Sequence, residues 1–253
     1  MPSTPIPPLA LTGERTVPGI AHENYWLRRH EAAYRHALPL ARGRRVLEVG
    51  CGEGYGTALL AGVADRVVGL DYDAITVAHA AAAYPRPRFV RANLAALPVP
   101  GAAVDLVATL QVIEHVWDHP QFVRECARVL VPGGRLLVTT PNRLTFSPDR
   151  QVPLNPFHTK EFTATELCGL LARCGFAVEA VLGLHPRPRL RGLDRAHGGS
   201  LVAAQLAAPP GDWSPRLRRD VASVTAGDFV VAGTGTHDVD ESLDLLVLAR
   251  RPS

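Results

Sequence analysis

Residues 46–57 read Val-Leu-Glu-Val-Gly-Cys-Gly-Glu-Gly-Tyr-Gly-Thr, and this stretch decides the fold. Its continuous apolar run is typical of a buried parallel strand. The run ends in alternating glycines, whose missing Cβ lets backbone N–H groups approach a ligand closely. The stretch therefore predicts a ligand-binding unit made of a strand, a turn and a helix.

The spacing of the glycines narrows the choice of ligand. They stand at positions 50, 52, 54 and 56, so a dinucleotide fingerprint G-x-G-x-x-G would need a glycine at 55 or 57. Tyr55 and Thr57 occupy those positions, which argues against NAD. The pattern Glu-x-Gly-x-Gly-x-Gly instead resembles motif I of the class I S-adenosylmethionine-dependent methyltransferases. That resemblance implies that the amino-acid end of S-adenosylmethionine is held by Glu48, Gly50, Cys51, Gly52 and Gly54.

The composition limits which classes of protein the chain can belong to. With 253 residues, of which 47% are hydrophobic, the chain can bury one substantial core. A net charge of +3 does not by itself indicate a nucleic-acid-binding protein, and no such partner is expected. No stretch approaches the roughly 18 apolar residues that span a bilayer. Four cysteines without a C-x-x-C pair suit a reduced cytoplasm, which is the expected location.

The segment before the glycine motif is expected to cover the ligand. Residues 1–10 are proline-rich and lack the basic start and apolar centre of a signal peptide, so we expect a disordered lead. A helix is expected from about residue 21 to 38. By the family resemblance, residues 11–40 cover the cofactor, and Arg15 or Arg28 pairs with its methionyl carboxylate. The alternative is an amphipathic helix whose arginines lie in solvent.

Polar residues follow the next two expected strands. Asp71 comes about 20 positions after the glycine loop, where a carboxylate accepts both ribose hydroxyls of a nucleoside cofactor. The ring of Tyr72 can stack on adenine. Asp73 is expected to cap the following helix. Asn93 either accepts from the adenine amino group, where the family often has Asp, or forms a turn, and we assign it with Leu94 to the cofactor site.

The end of the fourth expected strand carries Gln111, Glu114 and His115 at positions i, i+3 and i+4. This spacing puts the three side chains on one face of a helical turn. Methyl transfer to an alcohol needs a general base or a metal ion, because an alcohol is not ionised at neutral pH. A carboxylate and an imidazole at this place are therefore candidate catalytic groups.

The same run resembles the Glu-x-x-Glu-His element of ubiquinone-pathway and small-RNA 2'-O-methyltransferases. The resemblance implies that Glu114, His115 and the later His158 hold a divalent cation, Mg²⁺ or Mn²⁺. Gln111 replaces the first Glu of the element and is assigned to the cofactor. Two alternatives stay open. One is a metal-free reaction with His115 or His158 as the base, and the other is a surface Glu–His pair.

Alternating strands and helices predict the α/β fold class. We expect a Rossmann-like sheet of seven mostly parallel strands with helices on both faces, in a single domain spanning residues 1–253. Residues 187–241 separate the last two expected strands, are poorly periodic and are too long for a simple connection. They are expected to form a substrate-covering insertion.

Further stretches resemble an actinobacterial methyltransferase family linked to the methylglucose lipopolysaccharide locus. They are Leu-Thr-Gly-Glu-Arg-Thr (11–16), Glu-Asn-Tyr-Trp (23–26), Val-Ile-Glu-His (112–115), Asn-Pro-Phe-His-Thr (155–159), His-Gly-Gly-Ser (197–200) and Asp-Glu-Ser-Leu-Asp-Leu (240–245). The resemblance implies that the acceptor is a sugar hydroxyl, the 6-OH of glucose in an α-glucan. Methylation of RNA at the 2'-O, methylation of a quinol-type small molecule, and a cofactor-binding module without catalysis stay open. The sequence leaves the oligomeric state undetermined.

Two sets of side chains are candidates for contacting such a glycan. Three tryptophans could stack on sugar rings, although core tryptophans are the commoner case: Trp26, Trp117 and Trp213. Four arginines could meet an anionic glycan end, with a solvated loop as the alternative: Arg187, Arg189, Arg191 and Arg195.

Overall fold

The computed structural model describes Leu9 and residues 15–253. The expected lead 1–10, apart from Leu9, and the first residues of the 11–40 segment lie outside the described residues. Leu9 itself is buried. Among residues 15–253, no helix combines the length and the apolar character needed to cross a bilayer.

Eight strands form one sheet in the described part of the chain. They are β1 Arg45–Val49, β2 Arg66–Asp71, β3 Arg88–Arg91, β4 Val104–Leu110, β5 Leu130–Pro141, β6 Ala177–Pro186, β7 Phe229–Gly233 and β8 Asp244–Arg250. The α-helices in the same part are α1 Asn24–Ala41, α2 Tyr55–Ala61, α3 Ala74–Ala83, α4 His119–Val129, α5 Arg143–Phe146, α6 Ala164–Arg173, α7 Pro188–Ala196, α8 Leu201–Leu206 and α9 Pro215–Ser223. The helix expected from about residue 21 begins as a 3₁₀ turn, Ala21–Glu23, and continues as α1.

The strand order is β3-β2-β1-β4-β5-β8-β6-β7. The strands from β3 to β5 are parallel, whereas the pairs β5–β8, β8–β6 and β6–β7 are antiparallel. The expected count of seven strands was therefore wrong, since the sheet has eight, but four of its seven neighbouring pairs are parallel, as expected. The additional strand is β7, which lies inside the segment 187–241. Its five residues stand in a poorly periodic segment, where no regular alternation of strands and helices marks them as a strand.

Alternate residues of the central strands pack on opposite faces of the sheet. Leu47 and Val49 of β1 share one buried cluster with Phe122 of α4 and with side chains of α6. Val46 belongs to a second cluster on the other face, which contains apolar residues of α1, α2 and α7 to α9. The segment 187–241 thus contributes to the main core and is not a separate flap.

The direction of the strand order reverses between β1 and β4, which are direct neighbours. In open α/β sheets, ligands bind outside the carboxyl ends of the strands at such a switch point. The glycine loop after β1 and the Glu-His turn after β4 both lie there.

Candidate active site

The loop between β1 and α2 is built from glycines in left-handed backbone conformations. The N–H groups of Gly50 and Cys51 both donate to the carbonyl of Leu70 at 2.8 Å, which ties the loop to the end of β2. A Cβ at Gly50, where φ is +83°, would lie 2.4 Å from a methyl carbon of Val112. A Cβ at Gly52 would have one neighbour within 4 Å, the Cβ of Arg15 at 3.9 Å, so the loop presents bare backbone to open space there.

Asp71 connects the end of β2 to this loop. Its carboxylate accepts from the N–H of Gly52 at 2.8 Å and from the N–H of Asp73 at 3.0 Å. A carboxylate has about four acceptor positions, so two remain for ribose hydroxyls. Asp73 caps α3 by accepting from the N–H of Ile75, which confirms its expected role.

The residues assigned to adenine lie on the outer side of β2 and β3. The ring of Tyr72 is 67% exposed and lies 5.7 Å from the guanidinium carbon of Arg91. Asn93 is exposed and accepts from the N–H of Ala95, which is the turn-forming alternative. Leu94 follows it and is half-buried against the core. The turn bond uses one lone pair of the Asn93 amide oxygen and leaves the other for a ligand.

Glu48 lies beneath the loop. It is fully buried, and its carboxylate accepts from the hydroxyls of Tyr34, at 2.5 Å, and Thr57. Burial raises the pKa of Glu48 to about 7, and the nearby Asp71 carboxylate acts in the same direction. Glu48 therefore supports the loop from the side of α1 and α2.

Of the two arginines expected near the methionyl carboxylate, Arg15 lies at the site. It donates to Asp73 at 3.1 Å and to the Thr76 hydroxyl at 2.6 Å. Arg15 lines a small cavity of about 60 Å³ above the glycine loop, and it also lines the larger cavity described below. Arg28 pairs with Glu31 at 2.5 Å and lines neither cavity.

Beyond β4 the chain makes a tight turn that holds the candidate catalytic residues. Gln111 has a φ of +58°, and its backbone N–H donates to the carbonyl of Thr139 at 3.0 Å. One 3₁₀ turn, Ile113–His115, follows. Glu114 is 1% exposed and accepts from the Thr140 hydroxyl at 2.9 Å. Burial raises the pKa of Glu114 to about 8.

His115 and His158 meet in front of Glu114. Their ring centroids are 4.9 Å apart and the rings are nearly perpendicular. Nδ1 of His115 lies 3.0 Å from the carbonyl oxygen of Phe157, and Nδ1 of His158 lies 2.8 Å from a carboxylate oxygen of Glu161. Both partners can only accept from these nitrogens, so Nδ1 carries the proton in each neutral ring and Nε2 is the basic atom.

The loop that carries His158 is fastened to the Glu114 turn through its next residue. The N–H and the hydroxyl of Thr159 donate to the carbonyl of Glu114 at 2.7 and 3.0 Å, and the same hydroxyl lies 2.6 Å from the carbonyl of Val116. These bonds bring residues from the ends of β4 and β5 together.

Glu114, His115 and His158 each offer one possible ligand atom, and these atoms lie within 4.8 Å of one another. An imidazole that donates Nδ1–H to a carboxylate or a carbonyl and keeps Nε2 available is the usual arrangement of a metal-ligating histidine. The donor set of one carboxylate and two imidazoles fits a transition metal such as Mn²⁺ better than Mg²⁺. The donor atoms are therefore chemically compatible with a cation.

A cavity of about 400 Å³ is lined by these groups and shares Arg15 and Gln111 with the small cavity above the glycine loop. Its lining includes Arg15, Gln111, Glu114, His115 and His158. Trp26 and Phe146 form an aromatic side of the cavity, with ring centroids 6.5 Å apart. The volume lies within the range of small-molecule sites.

Comparison with known proteins identifies the family. A family profile described as a methyltransferase domain matches residues 47–138. A protein of Mycolicibacterium smegmatis named as a probable S-adenosylmethionine-dependent methyltransferase is 55% identical over 246 residues, which cover 96% of each chain. This chain belongs to the S-adenosylmethionine-dependent methyltransferases. The resemblance of the glycine motif to motif I of this family is confirmed, and the hypothesis of a module without catalysis is set aside.

More distant proteins agree with the fold. The crystal structure of an S-adenosylmethionine-dependent methyltransferase from Mesorhizobium loti has a TM-score of 0.59 at 23% identity, covering 92% of this methyltransferase and 99% of that chain. A ubiquinone biosynthesis O-methyltransferase of Rhizobium johnstonii is 35% identical over 111 residues, 42% of this chain and 44% of its own.

Several residues of the site carried no recognisable signal in the sequence of this methyltransferase. Tyr34 and Thr57 hold Glu48, and Glu161 orients His158, but each acts from a different part of the chain. Arg29 is buried behind Trp26 and pairs with Asp244, 215 positions away. Only the proximity of Glu161 to His158, at a spacing of i and i+3, could have been noticed beforehand.

The arginine cluster of the 187–241 segment has a structural role. Arg189 pairs with Asp228 at 2.5 Å, and Arg187 and Arg191 donate to backbone carbonyls. None of these three lines either cavity. Among the tryptophans, Trp26 borders the active-site cavity, whereas Trp117 is 88% exposed.

Proposed function

We propose that this methyltransferase methylates a hydroxyl of a sugar, the 6-OH of glucose units in a methylglucose polysaccharide precursor. The observation that carries the proposal is the cluster of Glu114, His115 and His158, which lines a cavity that shares Arg15 and Gln111 with the small cavity above the glycine loop. Such basic groups are needed for an alcohol acceptor, which is not ionised at neutral pH. The family resemblance of the stretches at 11–16, 155–159 and 197–200 supports a sugar as the alcohol.

S-adenosylmethionine supplies the methyl group of its sulfonium. Asp71 holds the ribose, the backbone of Gly50 to Gly54 follows the amino-acid end, and Arg15 meets the carboxylate. Tyr72, Asn93 and Leu94 flank the adenine. Because in-line displacement depends on alignment, fixing the donor against the acceptor hydroxyl provides several kcal/mol of the rate enhancement.

The histidines handle the proton of the acceptor. Nε2 of His115 or His158 accepts it, and the bonds from Nδ1 to Phe157 and Glu161 stabilise the resulting imidazolium. In the alternative reaction, Glu114, His115 and His158 would instead hold Mg²⁺ or Mn²⁺ through the carboxylate and these same nitrogens, and the cation would lower the pKa of an acceptor hydroxyl. Glu114 contributes charge to that site only in its ionised form, which a cation favours.

The walls of the cavity suit a sugar. Trp26 and Phe146 offer apolar ring faces, and Glu23, Gln111 and His30 add polar groups around them. The covering segments expected at 11–40 and 187–241 supply part of this lining through Arg15, α1 and Leu206. The cysteines, all unpaired, suit a reducing compartment such as the cytoplasm.

A quinol-type acceptor is the second candidate. The 35% identity to the ubiquinone biosynthesis O-methyltransferase covers 111 residues and favours it. Incubation with labelled S-adenosylmethionine and, in parallel, glucan oligosaccharides, RNA and quinol precursors separates the candidates. We expect label in the glucan, and label confined to the quinol or to RNA would end the sugar proposal.

Substitution of the histidines tests the catalytic cluster. We expect His115→Ala or His158→Ala to lower kcat by at least about 100-fold, the usual contribution of a general base, while the Kd for S-adenosylmethionine stays unchanged. His197→Ala is the control, because His197 pairs with Asp220 away from both cavities. Activity of the wild type in EDTA decides between a metal and a metal-free base, since full activity there rules out the cation.

A further inference from the structure

A third cavity, called the outer cavity below, adjoins the active-site cavity of about 400 Å³. It has a volume of about 460 Å³ and shares Glu23, Trp26 and Leu206 with the active-site cavity. Its remaining lining is His22, Gln205, Trp213 and residues 207–210. The two cavities therefore form one groove, which starts at Glu114 and passes Trp26 to the loop after α8.

The outer part of this groove has a wall that hydrogen bonds and a ring contact hold in place. The indole N–H of Trp213 donates to the carbonyls of Gln205 and Ala208 at 3.2 and 2.9 Å, and the edge-to-face contact with His22 has a centroid distance of 6.4 Å. These contacts fix the Trp213 ring as a wall. Leu206 is 63% exposed between the two cavities.

Gln205 carries an unpaired acceptor at this wall. The residue is 5% exposed, and its side-chain N–H donates to the carbonyl of Leu201 at 3.2 Å. The amide oxygen Oε1 is buried and has no hydrogen-bond partner. A buried acceptor without a partner costs about 1–3 kcal/mol, and a ligand's donor would relieve that cost once the Gln205 side chain turns toward the cavity.

The charges of the residues that line the outer cavity indicate which kind of ligand it can bind. Of the described residues that line it, none is lysine or arginine, and Glu23 is acidic. A phosphorylated chain such as RNA needs cations along its path, which this surface lacks. Two indole rings in the lining, with Glu23, His22 and Gln205 beside them, suit a neutral molecule with apolar faces and many hydroxyl donors.

We propose that the outer cavity is a subsite for the sugar units next to the one that is methylated, so that the enzyme recognises a glucan chain of several units. The inference rests on the proposed function and extends it to the length of the acceptor. Trp26 lies between the reacting unit and the next one.

The test compares kcat/KM for a single methyl glucoside and for α-glucans of increasing length. We expect kcat/KM to rise about tenfold or more as the chain reaches the subsite, which corresponds to about 1.4 kcal/mol. Transfer that is equally efficient at every length overturns the subsite and leaves the sugar acceptor intact. Absence of transfer to any glucan overturns the proposed function, and the subsite with it.

Two matched variants test whether the dependence of kcat/KM on acceptor length arises at the outer cavity. Ala207, the C-cap residue of α8, is exposed and lines the outer cavity, and Ala203 within α8 is exposed but lines neither cavity. We expect Ala207→Trp to bring the ratio of kcat/KM between long and short acceptors close to one, and Ala203→Trp to keep the wild-type ratio. An unchanged ratio in Ala207→Trp, with wild-type affinity for S-adenosylmethionine showing a folded protein, contradicts the proposal.

Discussion

At the scale of single residues, Asp71 both holds the glycine loop and lies at the expected ribose site. It accepts from the backbone of Gly52 and Asp73 and stands where the ribose is expected. We expect Asp71→Ala to weaken the binding of S-adenosylmethionine by about 1–3 kcal/mol, because hydrogen bonds to a charged group are lost. Isothermal calorimetry measures the change.

Asp73→Ala serves as the comparison for Asp71→Ala. It removes the cap of α3 and the partner of Arg15, but no ribose ligand. A Kd that is unchanged in Asp71→Ala would refute the ribose assignment.

Glu48 gives the protein a defined dependence on pH. Its pKa is about 7 in the folded protein and near 4.5 in the unfolded chain, so between these values the folded state binds more protons. Stability from this group is therefore lost as the pH rises from about 4.5 to 7, on the order of 3 kcal/mol at most.

Glu48→Gln removes that titration while keeping the size of the side chain. We expect its free energy of unfolding, relative to the wild type, to be higher at pH 8 than at pH 5, measured by urea denaturation. A difference between the two proteins that is the same at both pH values would show that Glu48 ionises normally.

At the scale of elements, the glycine loop and the turn after β4 are packed against each other. The Cβ of an alanine at Gly50 would lie 2.4 Å from Val112, whereas at Gly52 the nearest atom is 3.9 Å away. We expect Gly50→Ala to destabilise the protein by about 2 kcal/mol or more, through overpacking and the left-handed φ. Thermal unfolding reports the loss.

Gly52→Ala is the matched control for Gly50→Ala, since both backbones have positive φ. It should fold with a smaller loss of stability and bind S-adenosylmethionine less tightly, because the new methyl group lies on the open side of the loop. Val112→Ala added to Gly50→Ala should restore part of the stability, and no restoration would contradict the steric explanation.

The elements near the glycine motif could be predicted from the sequence because their signals are local. The apolar run of β1 and the cap at Asp73 are each encoded within a few residues. β7 was missed because its five residues pair only with β6, and their strand character depends on that neighbour.

At the scale of the whole molecule, one buried ion pair joins α1 to the sheet. Arg29 donates two hydrogen bonds to Asp244 at 2.6 and 2.7 Å, and both side chains are at most 4% exposed. Removal of one partner leaves a buried charge, so we expect Arg29→Met to cost about 3–5 kcal/mol in chemical denaturation.

The exposed pair of Arg45 and Asp105 provides the control. These side chains are 47% and 25% exposed, and Arg45→Met should cost about 1 kcal/mol or less. The double substitution Arg29→Met with Asp244→Leu should recover much of the loss, and equal stability of single and double variants would contradict the role of the charge.

The contacts that hold the site residues together in the folded protein could not be predicted from the sequence. The composition of the catalytic cluster was predicted from residues 111–115 and His158, but its support comes from Glu161 and Thr159. The contacts of Thr159 with the carbonyls of Glu114 and Val116 join positions far apart in the chain, and the sequence contains no periodic signal for them.

The place of β8 has a consequence for synthesis of the protein. β8 pairs with both β5 and β6, which precede it in the chain. Until residues 244–250 leave the ribosome, a nascent chain presents two unpaired strand edges, which are templates for aggregation. Arg29 is synthesised more than two hundred residues earlier and cannot form its ion pair until Asp244 follows. The two parts of the sheet that end at β5 and at β6 therefore join only when β8 has been inserted between them.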